Sequence, residues 1–464
     1  MDLLKKQISS SFRDPSGFLF IDKYKLYRVI SSQYKNNYDY LIDSGLYCKL
    51  VEGKLLIPHV EVSLDGYKHK DIYKIIEPEL IPFISYSYEW CFSQLKDAAL
   101  LLIKIQREAL NYNMILKDAS SYNIQFYKGR PILIDTLSFE IYQDDQPWVA
   151  YRQFCQHFLA PLFLMAEIDI GFNKLMSLYI DGIPIYLASK LLPKSTWLKF
   201  SILTHIHLHA KTQNKYKETQ QKIKLHKLNK HSLIGLIDHL DKTIDSIKWN
   251  PAGTEWGNYY ADTNYLPESM TDKKYLVAKY LGICKPSTLW DFGANTGIIT
   301  RIASDKNIAS IAFDIDPVAV EKNYLMIKEK NETMILPLCI DINNPSAAIG
   351  WSNTERLSLW ERGPVDMIIS LALVHHLVIS NNLPFSHIAL LFFTNTRFLI
   401  IEYIPKEDSQ VQRLLYTRDD IFSEYTQACF EESFLKYFII LEYQKILNTH
   451  RVIYLMEKRK DIEI

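Results

Sequence analysis

The segment LWDFGANTGIIT, Leu289 to Thr300, constrains this chain more than any other. An apolar run ends in an acid. A glycine-studded turn follows, and then an apolar helix start. From there to the C-terminus, strand-like and helix-like runs alternate. LWDFG leads to IITRIASDK, IASIAFDID leads to VAVEKNYLMIKEK, and MILPLCID, VDMIISLAL and RFLIIEYI follow. Strands alternating with helices imply a parallel, doubly wound α/β sheet. The late runs YFIILEY and RVIYLME are expected to pair antiparallel at its edge.

The glycine turn is a ligand loop of a restricted kind. A P-loop needs a lysine after its last glycine, and none is present. A dinucleotide fingerprint needs GxGxxG, and the order here is Asp291-x-Gly293-x-Asn295-x-Gly297. An acid at the strand end repels a pyrophosphate but suits an ammonium or a sulfonium. Asp314 in AFDID ends the second strand, seventeen residues after Gly297, where a carboxylate can accept two ribose hydroxyls. Asp341 in LCIDI can reach an adenine amino group.

This ordered set resembles the class I S-adenosylmethionine-dependent methyltransferases. The resemblance covers residues 255–464 and implies a Rossmann-like seven-stranded methyltransferase sheet. It implies that Asp291, Gly293, Asn295 and Gly297 flank the methionine moiety, that Asp314 binds ribose, and that Asp341 touches adenine. Asn295 stands where the family has its middle glycine. Asn tolerates the left-handed conformation better than most residues. WGNYYADTNY, residues 256–265, is similar to the cofactor-covering segment of such enzymes. Tyr259, Tyr260 and above all Tyr265 could cover a sulfonium by a cation–π contact.

LALVHHL lacks the [DN]PP[YF] signature of amino-group methylation of nucleic acids or glutamine, which points to a hydroxyl or carboxylate acceptor. His375 and His376 are general-base candidates, and Glu402 in IIEYIP is a further acceptor-pocket candidate.

The front of the chain differs. Residues 1–204 mix strand-like runs (KLYRVI, KLLIPHVEV, RPILIDTLSF) with an apolar-faced helix at 93–110, an α+β pattern. SGFLFIDKYKLYRVI reads as an opening hairpin. LKDASSYNIQFYKGRPILIDTLSFE resembles the catalytic region of protein-kinase-like and aminoglycoside-phosphotransferase-like folds. That resemblance makes Asp118 the acceptor of a hydroxyl proton, has Asn123 and Asp135 hold Mg²⁺ on ATP, and makes ELIPFISYSYEW a hinge strand. The departures are Lys117 for the Arg before the Asp, Leu116 for the His, Asp135-Thr-Leu for Asp-Phe-Gly, and no glycine-rich loop.

Residues 205–254 read as a basic helical linker, with seven lysines against Glu218 between 211 and 230. His205, His207 and His209 would share one face if they lay on a strand. A metal site would need further groups, so a polar linker is the reading taken.

Formal net charge is zero, which argues against a dedicated nucleic-acid binder. The six cysteines form no CxxC and read as reduced thiols. No run approaches the roughly 20 apolar residues of a membrane span, and the N-terminus lacks a signal-peptide core. A cytoplasmic protein is expected.

The two-part arrangement resembles a bacterial nodulation host-specificity family related to NoeA. That resemblance implies modification of a small, carbohydrate-like signal. The leading expectation is a methyltransferase using S-adenosylmethionine, acting by O-methylation on a small molecule or glycan. The alternatives are a bifunctional kinase–methyltransferase that also uses Mg-ATP, and a non-enzymatic scaffold with a degenerate nucleotide pocket.

Overall fold

A computed structural model describes residues 7–63, 71–212, 229–254, 256–257, 266–416 and 418–462. The chain divides into two units, Met1–Asn250 with Ala348–Leu357, and Pro251–Ala347 with Ser358–Ile464.

In the second unit the apolar runs become the strands of one sheet. They are β9 (Thr288–Phe292), β10 (Ala309–Asp314), β11 (Ile335–Cys339), β12 (Val365–Ser370), β13 (Thr396–Tyr403), β14 (Phe438–Lys445) and β15 (Val452–Lys458). Their order is β11-β10-β9-β12-β13-β15-β14. The first five are parallel, and β15 pairs antiparallel with both β13 and β14. The expected antiparallel edge is therefore present, with β15 inside it.

Strands covered on both faces must be apolar almost throughout. In β12, Met367, Ile368 and Ile369 are fully buried, as are Leu399, Ile400 and Ile401 in β13. Helix Pro267–Cys284 packs Leu276, Val277, Tyr280 and Leu281 into the same core as Leu289, Ile369, Ile400 and Leu455. Helix Pro317–Lys330 starts where Asp316 accepts the Val318 and Ala319 N–H groups, with Pro317 in the first turn. It stops at Asn331, which is left-handed at φ 53°.

The first unit carries an antiparallel sheet of order β1-β2-β4-β3, made of Leu19–Asp22, Lys25–Ser31, Ile72–Pro78 and His59–Val62 in that order. The opening hairpin is β1–β2. Helix Phe92–Asn111 buries Leu95, Ala98, Ala99, Leu102, Ile105 and Ala109 on one side, the face the spacing predicts. The pairs β5–β8 (Met114–Leu116, Phe139–Ile141) and β6–β7 (Ile124–Tyr127, Arg130–Leu133) follow. Residues 79–90 form no strand. They carry a short turn, Ser87–Glu89, in which the Glu89 carboxylate accepts the Tyr86 N–H.

The described parts of the 205–254 stretch are not a solvated connector. Helix Lys230–Ser246 buries Leu233, Ile237, Leu240 and Ile244. Its outer face pairs Asp238 and Asp241 with Arg107 of helix Phe92–Asn111 at 2.9 and 3.1 Å. Five of the seven lysines lie outside the described residues. HIHLH lies in a wide π-helical turn, Leu203–Leu208, and its cap His209, rather than in a strand. Its histidines therefore diverge. His205 bonds Tyr151 at 2.7 Å and His239 at 2.9 Å, while His207 stacks on Trp197 and bonds Ser189 and Thr196. Among the described residues no cluster of three His, Cys, Asp or Glu could hold a metal ion, and no helix is long and apolar enough to cross a membrane.

Candidate functional site

The strand order of the second unit reverses between β9 and β12. In open α/β sheets, ligands settle at the carboxyl ends of the strands at such a point. A cleft of about 280 Å³ opens there. It is lined by the ends of β9, β10 and β12, by the loop after β11, and by the turn beyond β12.

Asp291, Gly293, Asn295, Asp314, Asp341 and His376 all line this cleft. Gly297 supports the loop from beneath. Its φ is +76°, and a Cβ there would lie 2.6 Å from the Asn323 side chain, so only glycine fits. Gly293 is also left-handed at +76°. Asn295 adopts φ 50° and has two tasks. Its N–H donates to Asp314 Oδ2 at 2.7 Å, and its side-chain amide donates to the Trp256 carbonyl at 2.8 Å. The departure from glycine is thus accommodated in the backbone and used to hold Trp256 at the cleft wall.

The three acids differ in environment. Asp291 is 2% exposed and accepts a hydrogen bond from Thr300 Oγ1 at 2.6 Å. Burial pushes its carboxyl up to about 7, against the pull of the Thr300 hydroxyl. Asp314 is pushed up to about 6 by burial, opposed by the N–H groups of Asp316 and Asn295. Each Asp314 oxygen accepts one of those N–H groups. A carboxylate oxygen has a second lone pair, so capacity remains for two hydroxyl donors. Asp341 is half-buried, and its Oδ1 is held by the Asn343 N–H at 2.8 Å.

The acceptor-side candidates separate. His376 lies beyond β12 in the turn His376–Ser380, lines the cleft, and meets the Trp256 ring edge-on at 5.2 Å. Burial pushes it down to about 4, so it is neutral at physiological pH. His375 does not line the cleft. It is buried, and burial with the nearby His376, Arg451 and Lys273 holds it well below the usual imidazole range.

Glu402 does not line the cleft either; it is a buried structural acid. Its Oε2 takes Lys273 Nζ at 2.7 Å and the Ala372 N–H at 2.8 Å, and Arg451 stands 3.9 Å from its Oε1. Arg451 in turn grips Asp408 with two nitrogens, at 2.7 and 2.9 Å. Glu402 thereby fixes Ala372, a left-handed residue (φ 50°) in the cleft wall. Tyr259, Tyr260 and Tyr265 lie outside the described residues.

The sequence reading missed Lys273. It sits on the inward face of helix Pro267–Cys284, in register with Ser269, Leu276, Val277 and Tyr280. A lysine at an apolar-face position was the available signal.

In the first unit Asp118, Asn123 and Asp135 do come together. Burial raises Asp118, and the nearby Asp135 charge adds to that, while Asn123 bonds it. Asp135, however, is occupied by protein groups. Arg28 Nη1 lies 2.8 Å from its Oδ1, Ser138 Oγ donates to Oδ2 at 2.6 Å, and the Leu137 N–H donates to Oδ1 at 3.0 Å. Arg28 also pairs with Asp14 at 2.6 Å. The expected Mg-ATP role of Asn123 and Asp135 thus meets an acid already held by a guanidinium and two protein donors.

The chain is 32% identical to the nodulation protein NoeA of Rhizobium meliloti (strain 1021) over 461 residues, 97% of this chain and 96% of that protein. No family model matches. Among solved structures, the N-methyltransferase NodS from Bradyrhizobium japonicum WM9 is 10% identical at a TM-score of 0.31, covering 41% of this chain and 97% of that one. The magnesium protoporphyrin IX methyltransferase ChlM from Synechocystis PCC 6803, with bound SAH, is 13% identical at 0.32, covering 44% and 92%.

Proposed function

The chain belongs to the family of the nodulation protein NoeA, and from that premise we propose that its second unit is an S-adenosylmethionine-dependent methyltransferase acting on a hydroxyl of a small molecule or glycan. One observation carries the reading. Three acids at or just beyond the ends of three adjacent parallel strands line one cleft, in the order suited to an ammonium, a ribose and an adenine, around a left-handed glycine loop. Asp291 receives the α-ammonium, Asp314 the ribose hydroxyls, and Asp341 the adenine amino group. The donor set fits, because two buried carboxylates with raised values are suited to a cationic, hydroxyl-bearing ligand.

The cofactor would supply an electrophilic methyl group on a sulfonium. The chain's own work is then placement and proton handling. Seating the acceptor in line with the methyl carbon replaces a bimolecular encounter by a positioned one. Neutral His376, on the cleft wall, accepts the hydroxyl proton at a ring nitrogen. Trp256 and Leu373 line the cleft together with His376, and the Trp256 ring meets the imidazole edge-on.

The test is transfer of labelled methyl from S-adenosylmethionine to a panel of short glycans and small hydroxyl compounds. Label on an oxygen supports the reading. Label only on nitrogen in amine-bearing acceptors moves the acceptor class, and none on any acceptor favours a binding-only scaffold.

A further inference from the structure

We propose that the first unit carries a binding site for a neutral sugar, built from Arg152, Gln156, Tyr179, Asp181 and Tyr186. The site lies wholly within that unit and does not depend on the cofactor reading above. The five residues line a cavity of about 410 Å³, within the roughly 300–1,000 Å³ of small-molecule sites.

The backbone fixes both walls. One is the helical turn Tyr151–Phe154 and the π-helical stretch Cys155–Leu159 that continues it, which supply Arg152 and Gln156. Such π-helical turns are rare and recur at functional sites. The other wall is the segment 178–186. There the Gly182 N–H donates to the Tyr179 carbonyl at 2.9 Å, and the Ile183 N–H donates to the Gln156 carbonyl at 3.0 Å. Gly182 is left-handed at +85°, and a Cβ there would lie 2.8 Å from that of Gln156, so the two walls meet at closest approach. Ile183 and Ile185 are buried and anchor the segment. The concavity is therefore preformed in the backbone.

The polar side chains that line it are uncommitted. None of the five hydrogen-bonds or ion-pairs through its side chain with another described residue. Arg152 and Asp181 carry opposite charges on one cavity, yet no ion pair joins them. A guanidinium only donates, a carboxylate only accepts, and an amide and a phenol do both. This mixed set matches a ring of adjacent hydroxyls, each of which is donor and acceptor at once. Arg152 and Asp181 are exposed, so water and salt screen their attraction for a distant charge. Short-range hydrogen bonding then decides the ligand, and it favours a neutral polyol over an ion. Tyrosine adds an apolar ring body with a polar tip, suited to the C–H face of a pyranose. Tyr186 is 42% exposed at this cavity.

The experiment is saturation-transfer NMR on the full chain, followed by titration of whatever binds. The probes are glucose, galactose, mannose, N-acetylglucosamine, lactose and cellobiose, with glycine and glutamate as charged controls. At least one sugar should bind with a Kd of roughly 0.1–5 mM. Arg152→Gln and Asp181→Asn should each weaken it about tenfold, the scale of one hydrogen bond to a charged group. Tyr186→Ala should weaken it about three- to tenfold. Circular dichroism confirms that these exposed-site variants fold. No binding by any sugar, or binding that none of the three variants weakens, overturns the site. Binding of the amino acids alone, lost in the same variants, overturns the ligand class.

Discussion

Lowering the pH from 7.5 to 6 should weaken S-adenosylmethionine binding by roughly fifteenfold, through two carboxylates in the cleft. The proposed contacts require Asp291 and Asp314 ionised. Burial places Asp291 at about 7 and Asp314 at about 6 in the unliganded chain. At pH 7.5 about three quarters of Asp291 and nearly all of Asp314 are ionised; at pH 6 the fractions are about one tenth and about one half. Their product falls from about 0.75 to about 0.05.

The sign follows from the raised values. Between the unfolded value and the raised one, the unliganded fold holds a proton that binding must expel. Each of these acids alone makes the unliganded fold less stable as pH rises through its window, and the ligand reverses that by favouring the ionised form. Titrations in two buffers of different ionisation enthalpy would read the proton release directly. Asp291→Asn should flatten the dependence to about twofold, the Asp314 share. An affinity unchanged between pH 7.5 and 6, with no proton release, refutes the assignment of these acids to the ligand.

Three further outcomes are expected. Asn295→Gly keeps the left-handed loop and loses the Trp256 tether and the Thr296 N–H contact of the side chain, so affinity should drop a few-fold, whereas Asn295→Val adds about 1–2 kcal/mol of backbone strain and should drop it roughly tenfold or more; equal affinities in calorimetry contradict the loop geometry. His376→Ala should lower kcat by about 10²–10⁴ while leaving cofactor affinity within about threefold, and kinetics with unchanged kcat removes it as the base. Mg-ATP titrated into the full chain should give no Mg-dependent heat, because Arg28, Ser138 and the Leu137 N–H already occupy Asp135; heat that vanishes in Asp135→Ala would revive the bifunctional reading.

Where the sequence was readable, local chemistry decided the structure. Asp314 closes a strand of apolar residues, and Asp291 sits one residue from the end of another, so both were placed by pattern. The loop was legible because few residues tolerate φ near +76° at Gly293 and Gly297. What stayed hidden depended on distant partners. Arg28 lies more than a hundred residues from Asp135, and nothing near either residue announces the pair. Glu402 sits near the end of β13 and looked like a cleft residue, yet it faces Lys273 and Arg451 across the core. His205 and His207 alternate as strand residues do. Packing against Tyr151, His239 and Trp197 instead holds them in a helical turn as neutral core groups. Residues 348–357 belong with the first unit, where Glu355 pairs with Arg13 at 2.6 Å, a contact spanning most of the chain.

The central claim is that the cleft of the second unit binds S-adenosylmethionine through Asp314. Its most direct test is calorimetric titration of wild type and Asp314→Ala with the cofactor at pH 7.5, circular dichroism confirming that the variant is folded. The account predicts saturable one-to-one binding in wild type and a loss of at least about a hundredfold in the variant, the scale of two hydrogen bonds to a charged group. Binding of equal strength in both proteins, or no binding in wild type, contradicts it.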